Sequence, residues 1–247
     1  MKKVLIVHGW MHSAARYERL RRDLEQSGDC RVTLYEFPGF GDTPGKYRRN
    51  ILDNYTRDMK KYLETRKFDL IVAHSMGGNV VLKALEGTGD LPRDGEQKLI
   101  LLSPVYGGVA CLKPLFLFYP LAVMGIRLVQ RPFVLCRLLI RLCSLLTIRR
   151  WRDVDERIIR DARRADGAVA AGTLSELTFD CWRLGEVRPR LRVLLVLGEK
   201  DRVISRRNMA VLKKDLGSCR VKILKGIGHT AVAEDYEKLL KIVKGEL

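Results

Sequence analysis

The chain has 247 residues, of which 47% are hydrophobic and 30% are charged, and its formal net charge at pH 7 is +17. This length suits one domain or a core with an inserted cap, and the apolar share is that of an ordinary globular protein. No uncharged apolar run approaches the roughly 20 residues that span a bilayer, and residues 4–7 are too short for a signal peptide, so neither segment is predicted. The basic excess predicts attraction to an anionic partner.

Six short apolar runs alternate with stretches of helical periodicity. Strands are predicted, in chain order, over residues 4–7, 31–37, 68–72, 98–102, 191–197 and 220–224. Helices between the first four strands are predicted over residues 13–26, 51–65 and 78–86. The first helix is expected to carry four arginines on its polar positions: Arg16, Arg19, Arg21 and Arg22. Strands that alternate with helices favour a parallel, doubly wound sheet with helices on both faces.

The connection between the fourth and fifth strands breaks this alternation. It is far longer than the dozen or so residues that a βαβ crossover requires. We therefore predict an insertion, a cap of several helices over residues 107–185, between two core segments at 1–106 and 186–247. The predicted cap divides the chain into one α/β core and one helical unit.

Local patterns indicate several features within the predicted cap. Residues 111–152 contain eight cationic side chains and no Asp or Glu, and residues 133–147 predict a helix that is apolar nearly all round. In the second half, capping patterns are predicted at three points. These are a box at Asp153 and Glu156, a helix stop at Asp166 and Gly167, and a box at Thr173 and Glu176 that opens a helix reaching Arg183.

The hexapeptide at residues 73–78, Ala-His-Ser-Met-Gly-Gly, lies between a predicted strand and a predicted helix. It matches the nucleophile elbow G-x-S-x-G, with Ala73 in place of the first Gly. In such a sharp turn the serine adopts strained dihedral angles and its hydroxyl projects away from the backbone. The pattern alone is weak because Gly and Ser are common in turns, but the flanking elements are those that it requires. We predict Ser75 as a nucleophile.

A serine nucleophile needs a base to accept its proton and a carboxylate to orient that base. His229 follows the last predicted strand, and Asp201 follows the strand before it. The carboxyl ends of parallel strands meet at one edge of the sheet, where ligands bind. The sequence therefore predicts Ser75, Asp201 and His229 as catalytic residues, with Glu199 as the alternative acid.

The other histidines and the cysteines carry no cofactor motif. His8 and His74 are interpreted as structural, and His12 stays open between a pocket position and the surface. The loop at residues 39–42 lacks the G-K-[ST] of a P-loop, and the chain lacks Rossmann glycine spacing. The six cysteines show no C-x-x-C pair or metal spacing, so we interpret them as reduced, mostly buried thiols of a cytoplasmic protein. No metal or cofactor is expected.

With these motifs the chain resembles the α/β-hydrolase fold family over nearly its whole length. The resemblance rests on the His-Gly turn after the first strand, the elbow, and the loops of Asp201 and His229. It implies an α/β-hydrolase fold of about six mostly parallel strands, with a helical cap after the fourth. In this family the backbone N–H groups after the His-Gly pair and after the nucleophile form the oxyanion hole, which implies Trp10 and Met76 here. Compared with the family's sheet, the first two strands are expected to be missing from this sequence.

The serine at position 75 narrows the range of reactions that the resemblance implies. Haloalkane dehalogenases and epoxide hydrolases carry Asp there, so the resemblance instead implies a hydrolase of carboxylic esters, of the esterase or lipase type, that works through an acyl-enzyme. Thioesters and amides are the other acyl substrates that such a site could cleave.

The basic charge of the predicted cap bears on which partner could present the substrate. Its arginines, which include Arg127, Arg131, Arg137 and Arg141, predict either pairing with acids in the second half of the cap or contact with an anionic partner. That partner would be an anionic lipid surface or an acidic carrier protein. The His-Gly-Trp turn and the basic cap also resemble the pimeloyl-carrier-protein methyl ester esterases of biotin synthesis, so an acyl-carrier-protein ester or thioester hydrolase is the alternative function. A non-catalytic basic binding scaffold is a third hypothesis. Nucleic-acid binding is not expected, because no helix-turn-helix, zinc or RNA-binding motif is present.

Overall fold

One sheet of six strands organises the protein in the computed structural model, which describes residues 1–86, 97–109, 156–185 and 191–247. The strands are β1 Lys2–Val7, β2 Cys30–Tyr35, β3 Leu70–His74, β4 Lys98–Leu102, β5 Arg192–Gly198 and β6 Cys219–Leu224. Their order across the sheet is β2-β1-β3-β4-β5-β6, and every neighbouring pair is parallel. The predicted doubly wound parallel sheet is confirmed.

Helices connect these strands. In the described residues they are α1 Glu18–Glu25, α2 Ile51–Glu64, α3 Met76–Leu85, α4 Glu156–Arg164, α5 Gly167–Phe179, α6 Arg206–Leu216, α7 Ala231–Glu234 and α8 Tyr236–Lys244. A short 3-10 helix, Ala14–Tyr17, precedes α1. Helices α4 and α5 belong to the second half of the predicted cap.

The central strands are apolar without interruption because both of their faces are covered. All five residues of β3 are buried. Leu5 and Val7 of β1 pack with α2 and α3 in one cluster, whereas Val4 and Ile6 pack with α1 and α8 in another. This alternation is what a strand buried between two helical layers requires.

The first helix differs from its prediction in one respect that matters for the site. The predicted helix over residues 13–26 begins with the 3-10 helix, and α1 starts only at Glu18. Arg16, predicted at a polar surface position, is instead 5% exposed. Its guanidinium is buried because it pairs with Asp161 of α4, a contact that periodicity cannot show.

The capping predictions for residues 156–185 had mixed outcomes. The helix stop predicted at Asp166 and Gly167 lies just after the end of α4 at Arg164. Asp166 also begins the next helix, since its carboxylate accepts hydrogen bonds from the first turn of α5 at Ala168 N and Val169 N. The box at Thr173 and Glu176 was wrong, because Thr173 lies inside α5, which ends at Phe179 and does not reach Arg183.

Glu176 caps a different helix from its own. Its two carboxylate oxygens accept hydrogen bonds from Ile51 N at 2.9 Å and Leu52 N at 2.7 Å, at the start of α2. The residue at the N-cap of α2, Asn50, has a φ of 48° and makes no capping hydrogen bond with its side chain. A carboxylate from α5 thus replaces the local cap.

Some predictions fall on parts of the chain outside the described residues. These are the helix over residues 133–147, the capping-box residue Asp153, and the arginines Arg127, Arg131, Arg137 and Arg141. The bounds of the cap stay a prediction. Within the ranges that the structure does describe, none of the helices has the length and hydropathy needed to cross a bilayer. Three of the described cysteines are free thiols: Cys30, which is buried, Cys181, which is exposed, and the partly buried Cys219.

Candidate active site

Ser75 occupies a sharp turn between β3 and α3. Its φ of 51° and ψ of −115° lie outside the regions that residues with a side chain favour, at a cost of about 1–3 kcal/mol. The turn is held by the hydrogen bond from Ser75 N to Leu102 O at the end of β4, at 2.9 Å. The serine is 6% exposed. These dihedral angles are those expected of the predicted elbow.

Glycines allow the elbow to press against the loop that follows β1. A Cβ placed on Gly9 would lie 2.7 Å from His74 Nδ1 and 3.0 Å from Ser75 Cβ. A Cβ placed on Gly77 would lie 2.5 Å from His8 O. Real side chains do not fit at these distances, so both glycines are required for the loop and the elbow to touch.

Ser75, His229 and Asp201 form one chain of hydrogen bonds. His229 Nε2 lies 2.9 Å from Ser75 Oγ, and His229 Nδ1 lies 2.8 Å from Asp201 Oδ2. With Nδ1–H donated to the carboxylate, Nε2 is free to accept the proton of the serine hydroxyl. The side chains of His229 and Asp201 are 5% and 6% exposed. The structure thus brings together the three residues that the sequence predicted.

Asp201 is held as an anion. Its Oδ1 accepts hydrogen bonds from Val203 N at 2.8 Å and Ile204 N at 3.0 Å. Burial raises the pKa of Asp201, but the charge of His229 and hydrogen bonds from His229, Ile204 and the Ser103 hydroxyl outweigh burial and lower it to about 2. The carboxylate is therefore charged throughout the neutral range.

Ser103 is a member of this network that sequence reasoning missed. It follows the end of β4, has a φ of 41°, and is 3% exposed. Its backbone N–H donates to Val196 O on β5 at 2.9 Å, which directs the residue toward the loop of Asp201. Its place at a strand end, on the same edge as the three predicted residues, is the signal that could have identified it.

The alternative acid, Glu199, has another partner. Its Oε2 accepts a hydrogen bond from Gly226 N at 2.9 Å, and this bond lowers the pKa of Glu199. Glu199 thus joins the loop after β5 to the loop after β6, whereas Asp201 contacts the His229 ring.

The loop of His229 is fixed from both sides. Glu234 accepts hydrogen bonds from Gly228 N at 2.9 Å and Thr230 N at 3.2 Å, on either side of the histidine. From the elbow, the His74 ring donates Nε2–H to His229 O at 3.1 Å. Burial lowers the pKa of His74 to about 3, so this ring is neutral. This contact gives His74 a structural role at the base of the site.

The two predicted oxyanion donors lie on the two segments that touch at Ser75. Met76 is the first residue of α3, so its backbone N–H has no partner within the helix. Trp10 follows Gly9 in the loop after β1, and its indole Nε1–H donates to Ala170 O of α5 at 2.9 Å. These positions are consistent with both backbone donors facing one oxygen atom, as an oxyanion hole requires.

His8 and His12 support the loop after β1. His8 Nε2 accepts a hydrogen bond from Phe37 N at 3.0 Å, and its Nδ1–H donates to Gly9 O at 2.8 Å. The His12 ring stacks on His74, with centroids 5.1 Å apart, and its Nδ1 has no hydrogen-bond partner. Burial lowers the pKa of both His8 and His12. His12 therefore lies beside the site rather than on the open surface.

Among the described residues, no group of three or more His, Cys, Asp or Glu side chains could hold a metal ion. The cluster at Ser75 has the composition of a serine hydrolase site, with one nucleophile, one imidazole and one carboxylate in series.

Comparison with known proteins places the chain in a family. Residues 1–236 match the family model described as serine aminopeptidase, S33. The chain belongs to the S33 serine aminopeptidase family. This membership and the observed sheet confirm the resemblance to α/β-hydrolases that the sequence indicated. A search of curated proteins finds no match to this S33 family member.

Solved structures share the fold of this S33 family member at low sequence identity. An esterase from Exiguobacterium antarcticum has a TM-score of 0.74 and 16% identity, over 99% of this chain and 91% of that chain. A thermophilic esterase from Thermogutta terrifontis has a TM-score of 0.74 and 17% identity, over 99% and 89%. A bromoperoxidase from Bacillus anthracis has a TM-score of 0.74 and 19% identity, over 99% and 91%. Similarity at this identity establishes the α/β-hydrolase fold.

Proposed function

We propose that the protein is a serine hydrolase that cleaves carboxylic esters through an acyl-enzyme on Ser75. The observation that carries this proposal is the pair of contacts at His229, 2.9 Å from Ser75 Oγ and 2.8 Å from Asp201 Oδ2. Membership of a family of serine hydrolases supports it, since this chemistry needs the same three groups in series.

The first half of the reaction forms the acyl-enzyme. Ser75 Oγ attacks the ester carbonyl carbon while its proton passes to His229 Nε2. The Asp201 carboxylate, charged because its pKa is about 2, stabilises the imidazolium that results. As the tetrahedral intermediate collapses, His229 gives the proton to the departing alkoxide and the alcohol leaves.

Two backbone N–H groups, those of Trp10 and Met76, stabilise the negative oxygen of the intermediate in this proposal. Loss of one donor from such a site raises the barrier by about 3 kcal/mol. In the second half, a water molecule gives its proton to His229 Nε2 and attacks the acyl carbon, which releases the acid and restores Ser75. The carbonyl oxygen occupies the same two donors in both halves.

Esters are proposed ahead of amides because an alkoxide leaves more readily than an amine and because proteins of similar structure include esterases. The family description, serine aminopeptidase, favours amide hydrolysis as the second candidate. The two differ in their leaving groups, so matched ester and anilide substrates separate them.

The proposed substrate is a small or lipid-like ester. The cap arginines Arg127, Arg131, Arg137 and Arg141 would bring the site to an anionic lipid surface, or, in the alternative, to an acidic carrier protein that presents the ester or thioester. A reduced, cytoplasmic setting is the prediction that the cysteine pattern supports. A non-catalytic scaffold would leave the contacts of His229 without a purpose.

The experiment is hydrolysis of p-nitrophenyl esters of increasing chain length, with an aminoacyl p-nitroanilide as the amide substrate. We expect the wild type to cleave esters and Ser75→Ala to lose about 10⁴-fold or more of that activity. Ser27→Ala, a change at an exposed serine, is the matched control and should retain full activity. Cleavage of the anilide faster than the esters would replace ester hydrolysis by the second candidate, and undiminished activity in Ser75→Ala would overturn the proposal.

A further inference from the structure

A buried ion pair joins the cap to the core beside the site. Asp161 of α4 accepts two hydrogen bonds from Arg16 at Oδ2, from Nε at 2.8 Å and from Nη2 at 2.6 Å. Its other oxygen, Oδ1, accepts the hydroxyl of Ser13 at 2.7 Å. The side chains of Arg16 and Asp161 are 3% and 5% exposed. One carboxylate thus holds two residues of the chain that follows β1.

Those two residues lie in the segment that carries one proposed oxyanion donor. We call residues 9–17 the oxyanion segment, because Trp10 lies near its start. The indole of Trp10 donates a hydrogen bond to Ala170 O of α5. At the other end of the segment, Arg16 is bonded to Asp161 of α4. The oxyanion segment is therefore attached at both ends to helices of the predicted cap.

We propose that Asp161 is a positioning residue, which holds the oxyanion segment so that the backbone N–H of Trp10 stays beside Ser75. The inference rests on the proposed function, because it takes Trp10 N–H as an oxyanion donor. Asp161 touches no reacting atom and acts through Ser13 and Arg16.

The geometry explains why the position of the oxyanion segment needs such support. An oxyanion donor works when it lies about 2.7–3.1 Å from the oxygen, so a displacement of about 1 Å removes most of its effect. Residues 9–13 lie outside any helix or strand and Met11 has a φ of 55°, so this backbone is not held by regular structure. The 3-10 helix that follows has only four residues. A directional ion pair, in which two nitrogens of Arg16 donate to one oxygen of Asp161, supplies the constraint that these local elements do not.

Loss of the carboxylate would move the oxyanion segment. Arg16 is buried, and an unpaired buried charge is strongly unfavourable, so its guanidinium must turn toward water. Because Arg16 lies in a single short turn, that movement displaces the backbone toward Trp10. The elbow, the His229 loop and Asp201 have separate hydrogen bonds and stay in place.

The direct test is Asp161→Asn, which keeps the size of the side chain and removes its charge. We expect kcat for a p-nitrophenyl ester to fall about 10- to 100-fold with KM changed less than about 3-fold, because a transition-state contact is weakened and ground-state binding is not. The matched control is Glu176→Ala, which also breaks a bond between the cap and the core but at α2. Its kcat should stay within about 2-fold of the wild type, as expected for a change outside the site. An unchanged kcat in Asp161→Asn would overturn the proposal.

A second variant separates positioning from stability. Arg16→Met with Asp161→Leu replaces the ion pair by an apolar pair, a change that can restore or raise stability. We expect the melting temperature to recover while kcat stays low, since the apolar pair has no directional bonds. Recovery of kcat together with the melting temperature would show that Asp161 acts only through stability, and would overturn the proposal even if Asp161→Asn failed to fold.

Hydrogen–deuterium exchange gives a readout that does not depend on activity. In Asp161→Asn we expect faster exchange in peptides covering residues 9–17 and unchanged exchange at the elbow. A folded wild type that hydrolyses no ester or amide overturns the proposed function. Unchanged exchange in residues 9–17 of Asp161→Asn overturns the present inference, whatever the activity of the wild type.

Discussion

The backbone conformation of Ser75 lowers the stability of the fold but serves the proposed chemistry. The φ of 51° is reached because β3, α3 and the bond to Leu102 O fix the turn. The same turn directs the hydroxyl to His229 Nε2, so strain and reactivity have one structural cause.

This strain predicts a difference between two inactive variants. Ser75→Gly should be about 1 kcal/mol more stable than Ser75→Ala, because glycine adopts the observed φ freely and the relief of strain exceeds its extra entropy in the unfolded chain. Urea unfolding of the two variants measures the difference. A glycine variant less stable than the alanine variant would show that the turn is not strained.

His74 makes stability depend on pH. Its pKa is lowered from 6.5 to about 3 in the folded protein, so the unfolded chain binds a proton between these values and the folded protein does not. Stability is therefore complete above pH 6.5 and is lost as the pH falls toward 3. At pH 5 this histidine alone should lower the free energy of unfolding by about 2 kcal/mol relative to pH 7.

His74→Gln tests this contribution, because glutamine keeps a donor for His229 O but does not titrate. Urea unfolding at pH 7 and pH 5 should show a smaller loss for the variant than for the wild type, by about 2 kcal/mol. Equal losses in the two proteins would mean that His74 is protonated in the folded state.

At the scale of elements, the cross-chain contacts decide what a local pattern means. The sequence predicted that Glu176 caps its own helix. Its carboxylate instead caps α2, which is more than 100 residues away along the chain. We expect Glu176→Ala to lower the free energy of unfolding by about 1 kcal/mol, the usual effect of losing a helix cap. Denaturant unfolding measures it, and Arg57→Ala, a change on the exposed surface in the middle of α2, is the control. Equal stability of Glu176→Ala and wild type would contradict this capping role.

The difference between local patterns and contacts across the fold explains which elements the sequence could predict. The strands were found because β3 and β4 are buried on both faces and so consist of continuous apolar runs. The parallel direction of the strands followed from their alternation with helices. The position of Arg16 could not be predicted, because its burial depends on Asp161, a partner from another part of the fold.

The candidate site divides in the same way. Ser75, Asp201 and His229 each follow a strand, so a parallel sheet places them at one edge whatever the loop details. The choice of Asp201 over Glu199 needed the loop conformation, since both residues follow β5. Ser103 and the stacking of His12 on His74 have no short motif and emerge only from the folded chain.

At the scale of the whole molecule, the charge of +17 is the feature that the chemistry of Ser75 does not require. We expect binding to phosphatidylglycerol vesicles at low salt and loss of binding at high salt, because the screening length falls from about 10 Å at 0.1 M to about 3 Å at 1 M. Neutral phosphatidylcholine vesicles should not bind. Hydrolysis of a small soluble ester should be independent of salt.

Charge-reversal variants show which surface of the protein binds the vesicles. Arg137→Glu with Arg141→Glu should weaken vesicle binding strongly, whereas Lys213→Glu with Lys214→Glu, the same change in charge on exposed positions of α6, should weaken it little. Sedimentation with vesicles gives both values. Equal losses in the two variants would assign the binding to net charge and not to the cap.

Labelling with a fluorophosphonate tests the central claim most directly, because the reagent reacts with a serine hydroxyl only where a base activates it. The account predicts one adduct per wild-type chain, located by peptide mass spectrometry on Ser75, and none on a folded Ser75→Ala variant. A folded wild type that forms no adduct, or a Ser75→Ala variant that is labelled as fast as the wild type, would contradict it.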